Sequence, residues 1–170
     1  LLSKRRFEED AAQCGIRIET FHCDNGIFKS QEWTERLREA EQSQTLSGVG
    51  AHFQNAIAER AIQTVTQSSR AMLLHVQLYW PDEFDAKLWP FALDYASWIF
   101  NHCPKKNGFA PIDIFCSMRL SCEYLRRVRV FGSPVYVLDP RLQDGKKIPK
   151  WEPRARRGML LGFSPNHSTT

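Results

Sequence analysis

Apolar positions recur along this chain with two different periods, and the period separates helix from strand. Phe7, Ala11 and Cys14 fall at i, i+4 and i+7, and Gly15 is a fitting stop, which predicts a helix over Leu1–Cys14. Ile16-Arg17-Ile18-Glu19 then alternates like a strand that runs to about Cys23. Ser30 is a suitable N-cap for a helix over Gln31–Glu41, with Trp33, Leu37 and Ala40 on one face. Thr45–Val49 reads as a short strand and Gly48–Asn55 as a loop. A long helix is expected over Asn55–Leu78, with an apolar stripe of Ile57, Ala61, Val65, Met72 and Val76. Trp80-Pro81-Asp82 ends it. The next helix, about Asp85–Asn101, is apolar nearly all round and is expected to be buried.

Beyond it the pattern changes. His102–Pro111 holds two Pro, one Gly and two Lys, and reads as a linker. Val128–Phe131, Pro134–Leu138 and Met159–Phe163 read as strands. The front is therefore an α/β pattern of helix, strand, helix, strand, helix, helix, and the back a small β-rich module.

Charge follows the same division. The 170 residues carry a net +4, but residues 1–104 hold ten Lys/Arg against fourteen Asp/Glu, and residues 105–170 hold thirteen against five. The back is thus +8 and the front −4. Six of the basic residues, Lys146, Lys147, Lys150, Arg154, Arg156 and Arg157, lie between the last two expected strands or at their edge. They are candidates for sequence-independent phosphate contact, with an ordinary solvated basic surface as the alternative. Hydrophobic content of 42% argues against disorder, and no apolar run reaches the length of a membrane span. The five cysteines, an odd number without a secretory marker, read as free thiols in a reducing compartment. Leu1 is not a start methionine and no clear cap precedes the first helix, so a longer parent protein is expected.

Two carboxylates stand out by position. Asp24 ends the first expected strand, followed by Asn25-Gly26, a strong turn signal. A helix pattern rather than a second hairpin strand follows, and strand ends in α/β sheets are where ligands and metals gather. Glu59 sits in the first turns of the long helix, with Gln63 and Arg70 on its side. Each alone is a common surface residue.

Together with their surroundings they resemble a known family. Cys23-Asp24-Asn25-Gly26 resembles a strand ending in S-D-N-G, and Gln54-Asn55-Ala56-Ile57-Ala58-Glu59-Arg60 resembles a helix beginning Q-N-G-x-A-E-R. Leu88-Trp89-Pro90-Phe91-Ala92, then Phe131-Gly132-Ser133-Pro134-Val135-Tyr136-Val137, then Arg156–Ser164 resemble later segments in the same order. The ordered set resembles the copia-type retrotransposon integrases of the retroviral integrase superfamily. The resemblance implies an α/β, ribonuclease-H-like integrase core that is partial, its opening strands missing, over residues 1–104. A linker over 105–127 and a basic SH3-like module over 128–170 would follow.

It also implies polynucleotidyl transfer in DNA integration, with DNA as partner, a possible homo-oligomer, no membrane, and action in the nucleus. Three carboxylates would hold two Mg²⁺ or Mn²⁺ ions about 3.5–4 Å apart, which activate the attacking oxygen and stabilise the leaving one. Asp24 and Glu59 match two of the three; the first Asp has no counterpart here. Gln54, Asn55, Gln63 and Arg70 would position the DNA backbone. Two departures accompany this: 34 residues separate Asp24 from Glu59, one fewer than is usual, and Ala56 replaces a Gly. Without the first carboxylate, residues 1–170 alone are expected to be inactive. The alternative is a non-catalytic nucleic-acid-binding remnant of a degenerate element. The cysteines and His22, His52, His75 and His102 lack the spacing of a zinc site.

Overall fold

A computed structural model describes residues 2–48, 52–119, 122–143 and 145–164. It is a mixed α/β structure with two small two-stranded sheets. The chain divides into two compact units, Leu1–Thr64 with Ile112–Arg119, and Val65–Pro111 with Leu120–Thr170.

In the first unit, α1 (Leu2–Gln13) is braced by Lys4–Glu8 and Arg5–Glu9 pairs one turn apart. It stops where expected. Gly15 takes φ +72°, the Gly15 N–H bonds the Ala12 carbonyl and the Ile16 N–H bonds the Ala11 carbonyl, a Schellman ending. Of the expected stripe only Ala11 is buried; Phe7 and Cys14 are exposed.

Strands β1 (Thr20–Cys23) and β2 (Ser43–Leu46) pair in parallel, connected through α2 (Gln31–Glu39). Ser30 caps α2 by accepting the Trp33 N–H, as its position predicts. Ala40, expected on the buried face, is instead the exposed C-cap. The inner face of the strands packs Phe21, Cys23 and Leu46 on Trp33 and Leu37. Phe21 and Phe28 meet the Trp33 ring edge-on, at 5.5 and 5.0 Å, and the indole N–H donates to Gln44. The outer face is polar: Thr20 bonds Ser43, and His22 bonds Thr45.

Both strands differ from expectation at their limits. Residues 16–19 are not strand; the Ile18 carbonyl accepts the Gln42 side-chain amide, which also donates to the Glu8 carboxylate. β2 starts two residues early, since the Ser43 N–H already reaches the Glu19 carbonyl. Within the stretch expected as linker, α5 (Pro111–Phe115) forms, and Phe115 lies 6.0 Å from the Phe7 ring.

The helix α3 (Ala56–Tyr79) follows a 3-10 turn over His52–Asn55. Its stripe is buried only toward the end: Val76 is fully buried, whereas Ile57 is 89% exposed. In the second unit α3 meets α4 (Trp89–His102), which is preceded by a 3-10 turn, Ala86–Leu88, capped by Asp85. The core is Val76, Trp80, Ala92, Tyr95 and Phe131, with Met159, Leu161 and Phe163 against it. α4 is less buried than its composition predicts, since Trp89 and Phe91 are about half exposed or more.

Strands β3 (Pro134–Leu138) and β4 (Ala155–Met159) pair antiparallel, with α6 (Pro140–Gln143) between them. Val128–Phe131 is not a strand, and the last strand lies four residues earlier than its apolar run suggests. Register explains the shift. The Asp139 N–H bonds the Arg154 carbonyl and the Leu160 N–H bonds the Ser133 carbonyl, so 155–159 face 134–138. Gly162, at φ +146°, then turns Leu161 and Phe163 into the core.

One buried bond joins the end of α3 to the start of β3: the Trp80 indole N–H donates to the Gly132 carbonyl at 2.7 Å. Gly132 has φ +84°, and a Cβ there would lie 2.6 Å from a Val76 methyl. Trp80→Phe should therefore destabilise the chain by about 1–3 kcal/mol, by orphaning that carbonyl. Gly132→Ala should cost roughly 2–5 kcal/mol through left-handed strain and overpacking. Urea unfolding measures both; losses below about 0.5 kcal/mol, the ordinary surface range, would mean the contact does not hold the unit.

Candidate metal and nucleic-acid site

Asp24 follows β1 directly, at the carboxyl end of the parallel pair. Its carboxylate accepts the Gly26 N–H at 3.2 Å, an Asx turn that holds the carboxyl over the strand end. Asn25 donates its amide to the Ser47 carbonyl. Ser47 in turn reaches back to the Cys23 carbonyl through both its N–H, at 2.9 Å, and its hydroxyl, at 3.3 Å. The two strand ends are thus locked together one residue beyond the ladder.

The lock extends toward α3. The Gln54 side-chain oxygen accepts the Gly48 N–H at 2.7 Å. Gln54, expected to position DNA, is engaged in holding the loop, a role that its spacing did not disclose. Asn55 is half-buried at the end of the 3-10 turn, and Glu59 lies exposed in the first turn of α3. Hydrogen bonds thus run from Asn25 through Ser47 and from Gly48 to Gln54, which directly precedes Asn55 and the helix that carries Glu59. Gln63 is exposed one helical turn beyond Glu59 on the same side, and Arg70 is exposed further along α3.

Carboxylate oxygens of this kind suit Mg²⁺. Yet no group of three or more His, Cys, Asp or Glu side chains is placed to hold a metal among the described residues. Two carboxylates match the donor chemistry in type and fall short in number. His22 and Cys23 face opposite sides of β1, as adjacent strand residues must: His22 is exposed and Cys23 buried. Burial, reinforced by the Asp24 charge, pushes the Cys23 thiol up.

The six basic candidates are all exposed, but they do not share one face. Arg156 and Arg157 are neighbours in β4 and point to opposite sides. The Arg157 guanidinium lies 4.1 Å over the Trp80 ring. Arg156 pairs with Asp139 at 3.3 Å. Lys150 stands 5.3 Å from the Trp151 ring centroid. Lys146, Lys147 and Arg154 complete the set on the segment before β4 and at its start.

Sequence reasoning missed the centre of this arrangement. Asp139 is 4% exposed and receives Arg141 at 3.1 Å as well as Arg156, while Arg141 also reaches Glu152 at 3.4 Å. The available signal was Asp139-Pro140-Arg141, a cap residue followed by Pro, and the Arg141 N–H does bond the Asp139 carboxylate at 3.0 Å. The Arg141 side-chain hydrogen bonds, then its backbone N–H and the Arg141 and Arg156 charges, hold the Asp139 carboxyl at about 2. No model of a known protein family matches the chain.

The depressed carboxyl sets a pH dependence. Stability from Asp139 is fully present above the ordinary carboxylate value of about 3.9 and is lost as pH falls through about 2. The melting-temperature gap between wild type and Asp139→Asn should be widest above pH 4 and shrink steadily toward pH 2. A gap that stays constant over that range would remove Asp139 as the hub.

Proposed function

We propose that this chain is part of an integrase-type polynucleotidyl transferase from a retrotransposon polyprotein, with DNA as its partner and Mg²⁺ or Mn²⁺ as cofactor of the full-length enzyme. The observation that supports the reading is the position of Asp24 at the carboxyl end of a parallel β-α-β unit, where Asn25 bonds Ser47 and Gly48 bonds Gln54 just before the helix that carries Glu59. The ordered motifs from Cys23 to Ser164 support it independently. Finer assignments rest on the same footing: a ribonuclease-H-like core, an SH3-like module, nuclear action and possible homo-oligomerisation. Among the described residues no helix is long and apolar enough to cross a membrane.

In this reading Asp24 and Glu59 are two of three metal ligands. The bound ions would supply activation of the attacking oxygen and stabilisation of the leaving one. Asn25, Ser47 and Gln54 hold the Asp24 loop against the start of α3, and Asn55, Gln63 and Arg70 face the DNA backbone. With two ligands, residues 1–170 bind the ion weakly and do not join DNA by themselves. Lys146, Lys147, Lys150, Arg154, Arg156 and Arg157 make phosphate contacts without reading bases.

Two measurements test this. Mn²⁺ should broaden the NMR signals of Asp24, Glu59 and their neighbours, and Asp24→Asn or Glu59→Gln should weaken that binding at least tenfold, about 1.4 kcal/mol. No change in either variant favours the second reading, a nucleic-acid-binding remnant whose exposed carboxylates are relics. Duplex DNA affinity should fall on the order of a thousandfold between 50 and 200 mM salt if the six cations contact phosphates. A flat salt response, or undiminished binding after changing the six basic residues to Ala, would sink the nucleic-acid assignment altogether.

A further inference from the structure

Cys14 and Cys116 are 102 positions apart in sequence, yet their sulfur atoms lie 3.0 Å apart, with the Cys116 thiol donating to Cys14. Both belong to the first compact unit. Cys14 directly follows α1 and its N–H still bonds the Ala11 carbonyl; Cys116 directly follows α5 and its N–H bonds the Ile112 carbonyl. Both thiols therefore sit on backbone that helix-end hydrogen bonds hold in place. The same two helices meet again through the Phe7 and Phe115 rings, so the approach of the sulfurs is set by packing and not by one rotamer.

A disulfide needs sulfurs about 2.05 Å apart, so closure requires a movement of about 1 Å. The other described cysteines are placed differently: Cys23 is buried against Trp33, and Cys103 lies in the second unit. The proposed Asp24 and Glu59 site uses neither Cys14 nor Cys116.

We propose that Cys14 and Cys116 form a reversible redox clasp that closes by exchange with a low-molecular-weight disulfide such as oxidised glutathione. Cys14 is the exposed member and meets the reagent first. Its thiolate attacks one glutathione sulfur, forms a mixed disulfide and releases one glutathione thiolate. The Cys116 thiolate then attacks the Cys14 sulfur, forms the Cys14–Cys116 bond and expels the second glutathione thiolate. The two protons from the protein thiols end on the two glutathiones released. The protein loses two electrons and the glutathione disulfide gains them.

The hydrogen bond that Cys116 donates to Cys14, then burial, holds the Cys116 thiol above its ordinary range, which keeps the resting pair protonated on that side. Closure would add to the attachment of Ile112–Arg119 a covalent tie across a long loop, the case in which a crosslink restricts the unfolded chain most.

The test uses the full chain, reduced and then equilibrated with oxidised glutathione under native conditions. Five free thiols should fall to three, with a mass loss of two hydrogens and a single linked peptide pair joining Cys14 to Cys116. The melting temperature should rise and return on adding dithiothreitol. Cys14→Ser and Cys116→Ser should each remain folded and keep a glutathione on the surviving thiol in place of an internal bond. Persistent glutathione on the wild-type pair, linkage through Cys23, Cys103 or Cys122, or a disulfide-bonded dimer would overturn the proposal.

Discussion

The second unit depends on one indole. Trp80 follows the last turn of α3, keeps the helical bond to Val76, and places its ring N–H on the Gly132 carbonyl. Both backbones must come close for this to happen, and they can because residue 132 has no side chain to strike Val76. From that point the chain direction of β3 is set. Gly132 and Ser133 exchange backbone bonds with Leu160, which fixes the register of β4 and carries Met159, Leu161 and Phe163 onto the core. The outer face of the same ring receives Arg157. A buried polar bond to a backbone carbonyl thus organises an otherwise apolar cluster, and its directionality supplies what hydrophobic contact lacks.

Local signals were the legible part of the sequence. Ser30 and Gly15 mark helix ends because capping is decided within four or five residues. Trp80-Pro81 ends α3 for the same reason. Strand limits were less legible, because a strand exists only with its partner. The apolar run Met159–Phe163 looks like a strand by itself, yet pairing with 134–138 selects 155–159. Ile57 belongs to a stripe by spacing but has nothing described to bury it.

The candidate site divides in the same way. The placement of Asp24 at a strand end followed from Asn25-Gly26 and the helix pattern behind it. The use of Gln54 as a loop fastener did not, since it depends on a side chain meeting Gly48 across a turn. Asp139 was invisible as a hub because one of its partners, Arg156, is 17 residues away and becomes a neighbour only when β3 and β4 pair. Counting Lys and Arg measured the charge of the back segment correctly and said nothing of which side each charge faces.

That distinction between charge present and charge displayed has a kinetic consequence. At distances beyond a few ångströms a polyanion feels the summed field, and the internal pairs of Arg141 and Arg156 with Asp139 leave the excess of +8 in residues 105–170 intact. At contact, only guanidinium and ammonium groups not already bonded inside the fold can hold on. Long-range attraction sets how fast partners meet, and short-range contacts set how long they stay. If the proposed DNA contact holds, a surface organised like this one would capture quickly and release quickly, as suits a segment that searches along a partner more than one that anchors to it.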